Sequence, residues 1–348
     1  MNDQVNFILS IIDKKYANSI EHENLVNSPI NWRSVLRKAL DNRILYVLSN
    51  SVLGQEDTVN SELKPVMEDI ATEGDRWAAR FHNTLNVLEQ VLGHHNYVII
   101  KTFRFYQDVT FDVDIVVFQN NSEAIENLTG KSLFDLKMIN GGRELSPLVE
   151  DFVAIDVYEN FFFRDKVIAD RDFICDNLSS YHTTNGHYYV PSVESELLLH
   201  VAQVNFQLRF ITLNDFLQVT RLIADNTNDI NWQKLFSQVA ENGWINSFTH
   251  TLSIIDALYR TLYDDSLNIP LEASGQHEKI KVNFPYVLSP LTVLRYDFEL
   301  FKKSFIKARY FVDDFKYFYF EFVSFYVRKR IPIYRDWVDL QQLATSSA

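Results

Sequence analysis

Apolar residues recur at three- and four-residue intervals from Leu63 through Val66, Met67, Ile70, Trp77, Phe81, Leu85 and Leu88 to Leu92, so they fall on one stripe. That period predicts an amphipathic helix. It begins near Ser61, takes Pro65 into its first turn and stops at Gly93, where glycine adopts a left-handed cap at no steric cost. The rest of residues 1–95 reads as shorter helices joined by polar turns. The period then shortens. Tyr97-Val98-Ile99-Ile100 and Val113 to Phe118 are β-branched and aromatic runs of strand length, and Ser122 to Leu128 reads as a helix. Phe134 to Ile139 and Phe152 to Tyr158 supply two more strands, with Gly141-Gly142 marking a turn between them, and Thr183-Thr184-Asn185-Gly186 reads as a hairpin turn flanked by His182 and His187. From Ser192, a helix cap followed by Glu194 and Glu196, the helical period returns. It continues through Asn214 to Ala224, Trp232 to Val239 and Ile245 to Leu262. Residues 264–285 read as a linker, and 291–327 as a long aromatic helix closed by Pro332.

These elements predict an α+β fold. A small mixed β-sheet core, residues 96–190, lies between an N-terminal helical region, 1–95, and a C-terminal helical domain, 191–348. The 348 residues are 47% apolar, ample for sizeable buried cores. Thirty-three basic residues against 46 acidic ones leave a net charge of −13, which disfavours unselective adhesion to nucleic acid or to an anionic membrane. Cys175 is the only cysteine, so an intramolecular disulfide is excluded and a reducing cytoplasm is the expected location. The amino terminus lacks the basic n-region of a signal peptide. The greasiest stretch, 315–327, contains Lys316 and Glu321 and falls short of the roughly 20 residues that a bilayer requires, so no transmembrane segment is expected.

The candidate chemistry sits in Phe111-Asp112-Val113-Asp114-Ile115-Val116-Val117-Phe118. Side chains alternate across a strand, so Asp112 and Asp114 point to one face. Two carboxylates held that close repel each other unless a cation lies between them. Mg²⁺ suits the place because it is hard, prefers oxygen and shares its shell between one or two carboxylates and substrate phosphates. Asp156, in another apolar run, completes a three-acid set if its strand pairs beside the first. Such a set binds two metal ions about 4 Å apart. The bland alternative is a pair of solvated strand-edge acids, because D-x-D alone is common. His182 and His187 lack a cysteine or a third histidine at ligand spacing, so a zinc site is not expected, and His200, beside Leu197 and Val204, reads as a packing residue before one that faces the cleft. The chain has no G-x-x-x-x-G-K-[ST], G-x-S-x-G or H-E-x-x-H.

The run Tyr97-Val98-Ile99-Ile100-Lys101-Thr102, then Phe111-Asp112-Val113-Asp114, then Ala154-Ile155-Asp156-Val157-Tyr158, resembles the core of the nucleotidyltransferase superfamily. The resemblance is to its group of uncharacterised nucleotidyltransferases, in which an apolar strand ending in Lys-Gly precedes a D-x-D strand and a third Asp. Leu213-Asn214-Asp215-Phe216 echoes a Leu-x-Asp-Leu element of that group, and the likeness spans roughly residues 30 to 260. It implies an Mg²⁺-dependent transfer of a nucleoside monophosphate from an NTP to an acceptor. Asp112 and Asp114 would then be metal ligands and Asp156 the third acid, with room for two Mg²⁺ ions. A small-molecule acceptor is the implied partner, an RNA end or a protein side chain being the other options. The departure lies before D-x-D, where the superfamily places Gly-Ser or Gly-Gly and this chain has Lys101-Thr102. Lys101 and Thr102 would face the phosphates, either as an altered grip or in a catalytically silent module that binds a nucleotide or a protein, and Arg104 would either aid the phosphates or be a surface arginine. Residues 315–330, aromatic and closed by Arg328-Lys329-Arg330, read as packing surface or as a contact for a protein or membrane surface. A scaffold built on that helix is a third reading.

Overall fold

The computed structural model describes residues 3–19, 31–54, 63–93, 96–101, 112–118, 121–139, 142–163, 166–183, 186–208, 210–271, 282 and 284–288. Among the described residues five helices come first: α1 (Asp3–Ile12), α2 (Lys14–Ser19), α3 (Trp32–Asp41), α4 (Leu45–Leu53) and α5 (Lys64–Leu92). The apolar stripe is the buried face of α5. Pro65 lies in its first turn, where the missing N–H has no helical partner to lose, and Gly93 ends it at φ 72°. Gly74, midway along, lets α5 approach α4: a Cβ there would come within 2.0 Å of the Tyr46 ring, whose hydroxyl donates to Asp75 Oδ1 at 2.6 Å.

The sheet follows, from β1 (Tyr97–Ile100), β2 (Asp112–Val117), β3 (Phe134–Ile139), β4 (Gly142–Pro147) and β5 (Ala154–Tyr158), with helix α6 (Asn121–Thr129) after β2. Its order is β1-β2-β5-β4-β3, parallel only between β2 and β5. The connection between those two is made by α6 and the β3–β4 hairpin. Strand β4 was not expected, because Gly-Arg-Glu-Leu-Ser-Pro offers no β-branched residue. It forms because β3 and β5 bond it from both sides and bury Leu145 completely. Val113, Ile115, Val117, Leu145, Ile155 and Val157 make one apolar face of the sheet, and α5 contacts β2 while α6 contacts β3. Thr84 of α5 accepts the Val153 amide through Oγ1 at 2.9 Å, pinning the start of β5.

Two hairpins come next, β6 (Phe161–Phe163) with β7 (Lys166–Ala169) and β8 (Ser179–Thr183) with β9 (Gly186–Val190), separated by α7 (Arg171–Cys175). The second is the hairpin expected between His182 and His187, and β9 lies against β1. Ser192 caps α8 (Val193–Ala202), which runs into a π-helical segment, Gln203–Leu208. Strand β10 (Phe210–Ile211) and helices α9 (Leu213–Asp225), α10 (Trp232–Glu241) and α11 (Ile245–Tyr263) follow, and β11 (Tyr286–Val287) pairs with β10. Helix α8 packs against all three of these helices. Asn42 reaches from the N-terminal region to the start of α9, where its Oδ1 accepts the Leu213 amide at 3.0 Å. The first part of the stretch read as a linker is anchored: Leu267 and Ile269 are buried, and the Leu267 amide donates to Asp256 Oδ1 at 2.9 Å.

The architecture is therefore mixed α+β, a small mixed sheet flanked by N- and C-terminal helical regions, with buried residues from all of them in one contiguous cluster. Among the described residues no helix is long and apolar enough to cross a membrane. The aromatic segment 315–330 lies outside the described residues.

Candidate functional site

The register assembles the acids. Asp114 stands opposite Asp156 across the parallel β2–β5 pair, Asp112 lies two residues earlier on β2, and Glu144 of β4 stands opposite Asp156 on its other side. Side chains at paired positions share a face, so all four carboxylates lie on the face opposite that of Val113, Ile115, Leu145, Ile155 and Val157. Asp112 is exposed at the strand's start, while Asp114 is buried. Val113 and Ile115, alternating with the acids, anchor the strand from behind.

Lys101 follows directly after β1 and is buried. Its Nζ lies 2.9 Å from Asp114 Oδ2, 4.9 Å from the centre of the Phe161 ring and 5.9 Å from that of Tyr158. An ammonium between a carboxylate and two aromatic faces is compensated on several sides. The Lys101 backbone is left-handed, at φ 58°, a conformation that costs a side-chain-bearing residue of order 1 kcal/mol or more and glycine almost nothing. The chain thus places a lysine on a backbone conformation that glycine adopts most readily. Glu196 in the first turn of α8 braces it, Oε1 accepting the Lys101 amide at 3.2 Å. His200, one helical turn on, is buried with Nε2 3.5 Å from Glu196 Oε2.

Burial, then the charges of Asp114 and Asp112, raise the Asp156 carboxyl from its ordinary 3.8 to about 7, Lys101 opposing and Glu144 reinforcing the shift. Tyr158 places its hydroxyl 3.2 Å from Asp156 Oδ2. Burial and the neighbouring Asp114 and Asp156 push that phenol far above its usual range, so it stays a donor. Ser146 Oγ donates to Glu144 Oε1 at 2.8 Å and orients it.

Comparison with protein-family models, with curated proteins and with solved structures finds no match.

Asp112, Asp114 and Asp156 are on one face, as expected, and Lys101 is beside them; Thr102 and Arg104 lie outside the described residues. Among the described residues no group of three or more His, Cys, Asp or Glu side chains is arranged to hold a metal ion. Asp114 has its Oδ2 committed to Lys101. The donors nevertheless match Mg²⁺ in kind, being hard oxygens in excess of the local positive charge, and this ion takes few protein ligands when phosphates complete its shell. Glu144 and the Glu196 brace escaped the sequence reading. Their only trace there was negative charge, in a segment with weak strand character and in the first turn of a helix.

Proposed function

We propose that the acidic face of the sheet binds a nucleoside triphosphate with Mg²⁺ and transfers its nucleoside monophosphate to an acceptor, a small molecule before an RNA end or a protein side chain. The observation that carries this reading is the pairing of Asp114 with Asp156 on adjacent parallel strands, Asp112 two residues away on the same face. The raised Asp156 carboxyl is consistent with it: burial is the larger cause, and the charges of Asp114 and Asp112, which a divalent ion would relieve, add to it. Asp112, Asp114 and Asp156 would hold the ion, which supplies charge neutralisation at the transferring phosphorus. Lys101 lends a positive charge to the phosphates, and Asp156 in its ionised form is suited to take the acceptor's proton.

One observation favours a second reading. Lys101 already neutralises Asp114, so the face can persist without a metal, as a catalytically silent nucleotide- or protein-binding module would require. Calorimetric titration of each NTP in Mg²⁺, followed by assay of pyrophosphate release, decides between them. Binding that disappears in Asp112→Asn/Asp114→Asn, with turnover in the parent, is the expected result. Binding that survives those changes, in a parent without turnover, belongs to the silent module, and absence of NTP binding removes both nucleotide readings.

A further inference from the structure

The exposed large apolar side chains of the described residues sit at the β3–β4 end of the sheet. They are Leu136 of β3, 41% exposed, and Leu148 and Val149, which directly follow β4. Strand β3 is an edge. Among the described residues it pairs with β4 alone, and its six residues present unpaired main-chain groups on the other side. The ladder fixes which groups these are. The Leu148 amide donates to the Leu133 carbonyl at 2.9 Å, so that pair is hydrogen-bonded, and the next sets Phe134 opposite Pro147, which has no N–H to give. Antiparallel pairs alternate, so Asp135 and Lys137 turn their main-chain groups to β4, whereas Phe134, Leu136 and Met138 turn theirs outward.

We propose that this edge pairs with the same edge of a second copy of the chain, making a symmetric dimer in which two five-stranded sheets join as one. Outward residues must meet outward residues, so the two-fold axis passes through a residue of β3 rather than between two. Charge then selects the residue. An axis at Asp135 or Lys137 sets that charge opposite its own copy, and an axis at Phe134 sets Lys137 opposite Lys131, all like pairs that repel. An axis at Met138 leaves Asp135 opposite Gly141. An axis at Leu136 sets the exposed Asp135 of each copy opposite Lys137 of the other and brings the two Leu136 residues together. The occupant is a copy of this chain because Asp135-Leu136-Lys137 complements itself when read in the opposite direction. Paired strands keep their faces, so Asp112, Asp114, Glu144 and Asp156 of both copies lie on one side of the joined sheet.

Sedimentation equilibrium of the full chain, at concentrations reaching about 1 mM, tests the pairing. The parent should dimerise reversibly. Asp135→Lys and Lys137→Asp each put like charges opposite one another on both sides of the axis, and either change alone should weaken the dimer at least about tenfold. Mixed in equal amounts, the two variants should associate again, because every lysine of one then faces an aspartate of the other. A parent that stays monomeric overturns the proposal. A dimer that neither change weakens, or a mixture that associates no better than its components, overturns the interface through β3. Should either variant fail to fold, amide hydrogen exchange of the parent replaces it. The outward amides of Phe134, Leu136 and Met138 should gain protection as concentration rises, and protection indifferent to concentration overturns the interface.

Discussion

With its carboxyl raised from 3.8 to about 7, first by burial and then by Asp114 and Asp112, Asp156 binds a proton in the folded chain over a pH range where the unfolded chain has released it. Stability from this group is therefore greatest below about pH 4, declines as pH rises through that window, and is lowest above about 7. Asp156→Asn keeps a neutral acceptor for the Tyr158 hydroxyl and removes the charge. It should raise the melting temperature by several degrees at pH 8 and change it little at pH 4, measured by circular dichroism in metal-free buffer. Lys101→Gly sets two effects against each other. Release from the left-handed backbone returns about 1 kcal/mol, whereas Asp114 loses its buried partner at a cost of roughly 3–5 kcal/mol. A net loss of at least about 2 kcal/mol in urea unfolding is expected, and adding Asp114→Asn should recover most of it. At this scale the acids were legible because D-x-D and strand alternation are local properties. Lys101's backbone conformation, its brace by Glu196 and the approach of Glu144 to Asp156 were not, since each depends on strands and helices far apart in sequence.

Helix α5 shows how well an element is read when its periodicity is long, and also what periodicity leaves out. The stripe from Val66 to Leu92 foretold the buried face, but nothing in it marked Gly74 as the point of contact with α4. Replacing glycine by alanine within an exposed helix ordinarily gains about 1 kcal/mol. Here the added Cβ would meet the Tyr46 ring at 2.0 Å, and Tyr46 is held by its bond to Asp75. Gly74→Ala should therefore destabilise by roughly 1–3 kcal/mol in urea unfolding, the range for overpacking. In a Tyr46→Ala background the same change should become neutral or stabilising, which separates collision from propensity. Strand β4 is the converse case: its residues lack strand preference, and pairing on both edges imposes the conformation. The acid face depends on that imposition, for Glu144 stands beside Asp156 only through β4.

The whole chain carries an excess of 13 negative charges, and its sheet sets Asp112, Asp114, Glu144 and Asp156 on the face that Lys101 helps to neutralise. Fold class was legible at this scale because the switch from helical to strand period and back is coarse and survives errors at element ends. The union of helical regions and sheet through Asn42, Glu196 and the contiguous core was not, since single polar contacts leave no periodic trace. On the nucleotide reading, metal binding and global stability are linked through Asp156. A divalent ion competes with the proton on that carboxyl, so below about pH 7 its affinity should rise by up to tenfold per pH unit and then level off. Because the ion binds the folded chain, the melting temperature gained from saturating Mg²⁺ and ATP should grow from pH 5.5 to 7 and flatten by pH 8. Asp156→Asn should make that increment smaller and independent of pH. A gain that is equal at pH 5.5 and 8 in the wild-type chain would show that the metal engages other groups and that Asp156 owes its shifted carboxyl to burial alone.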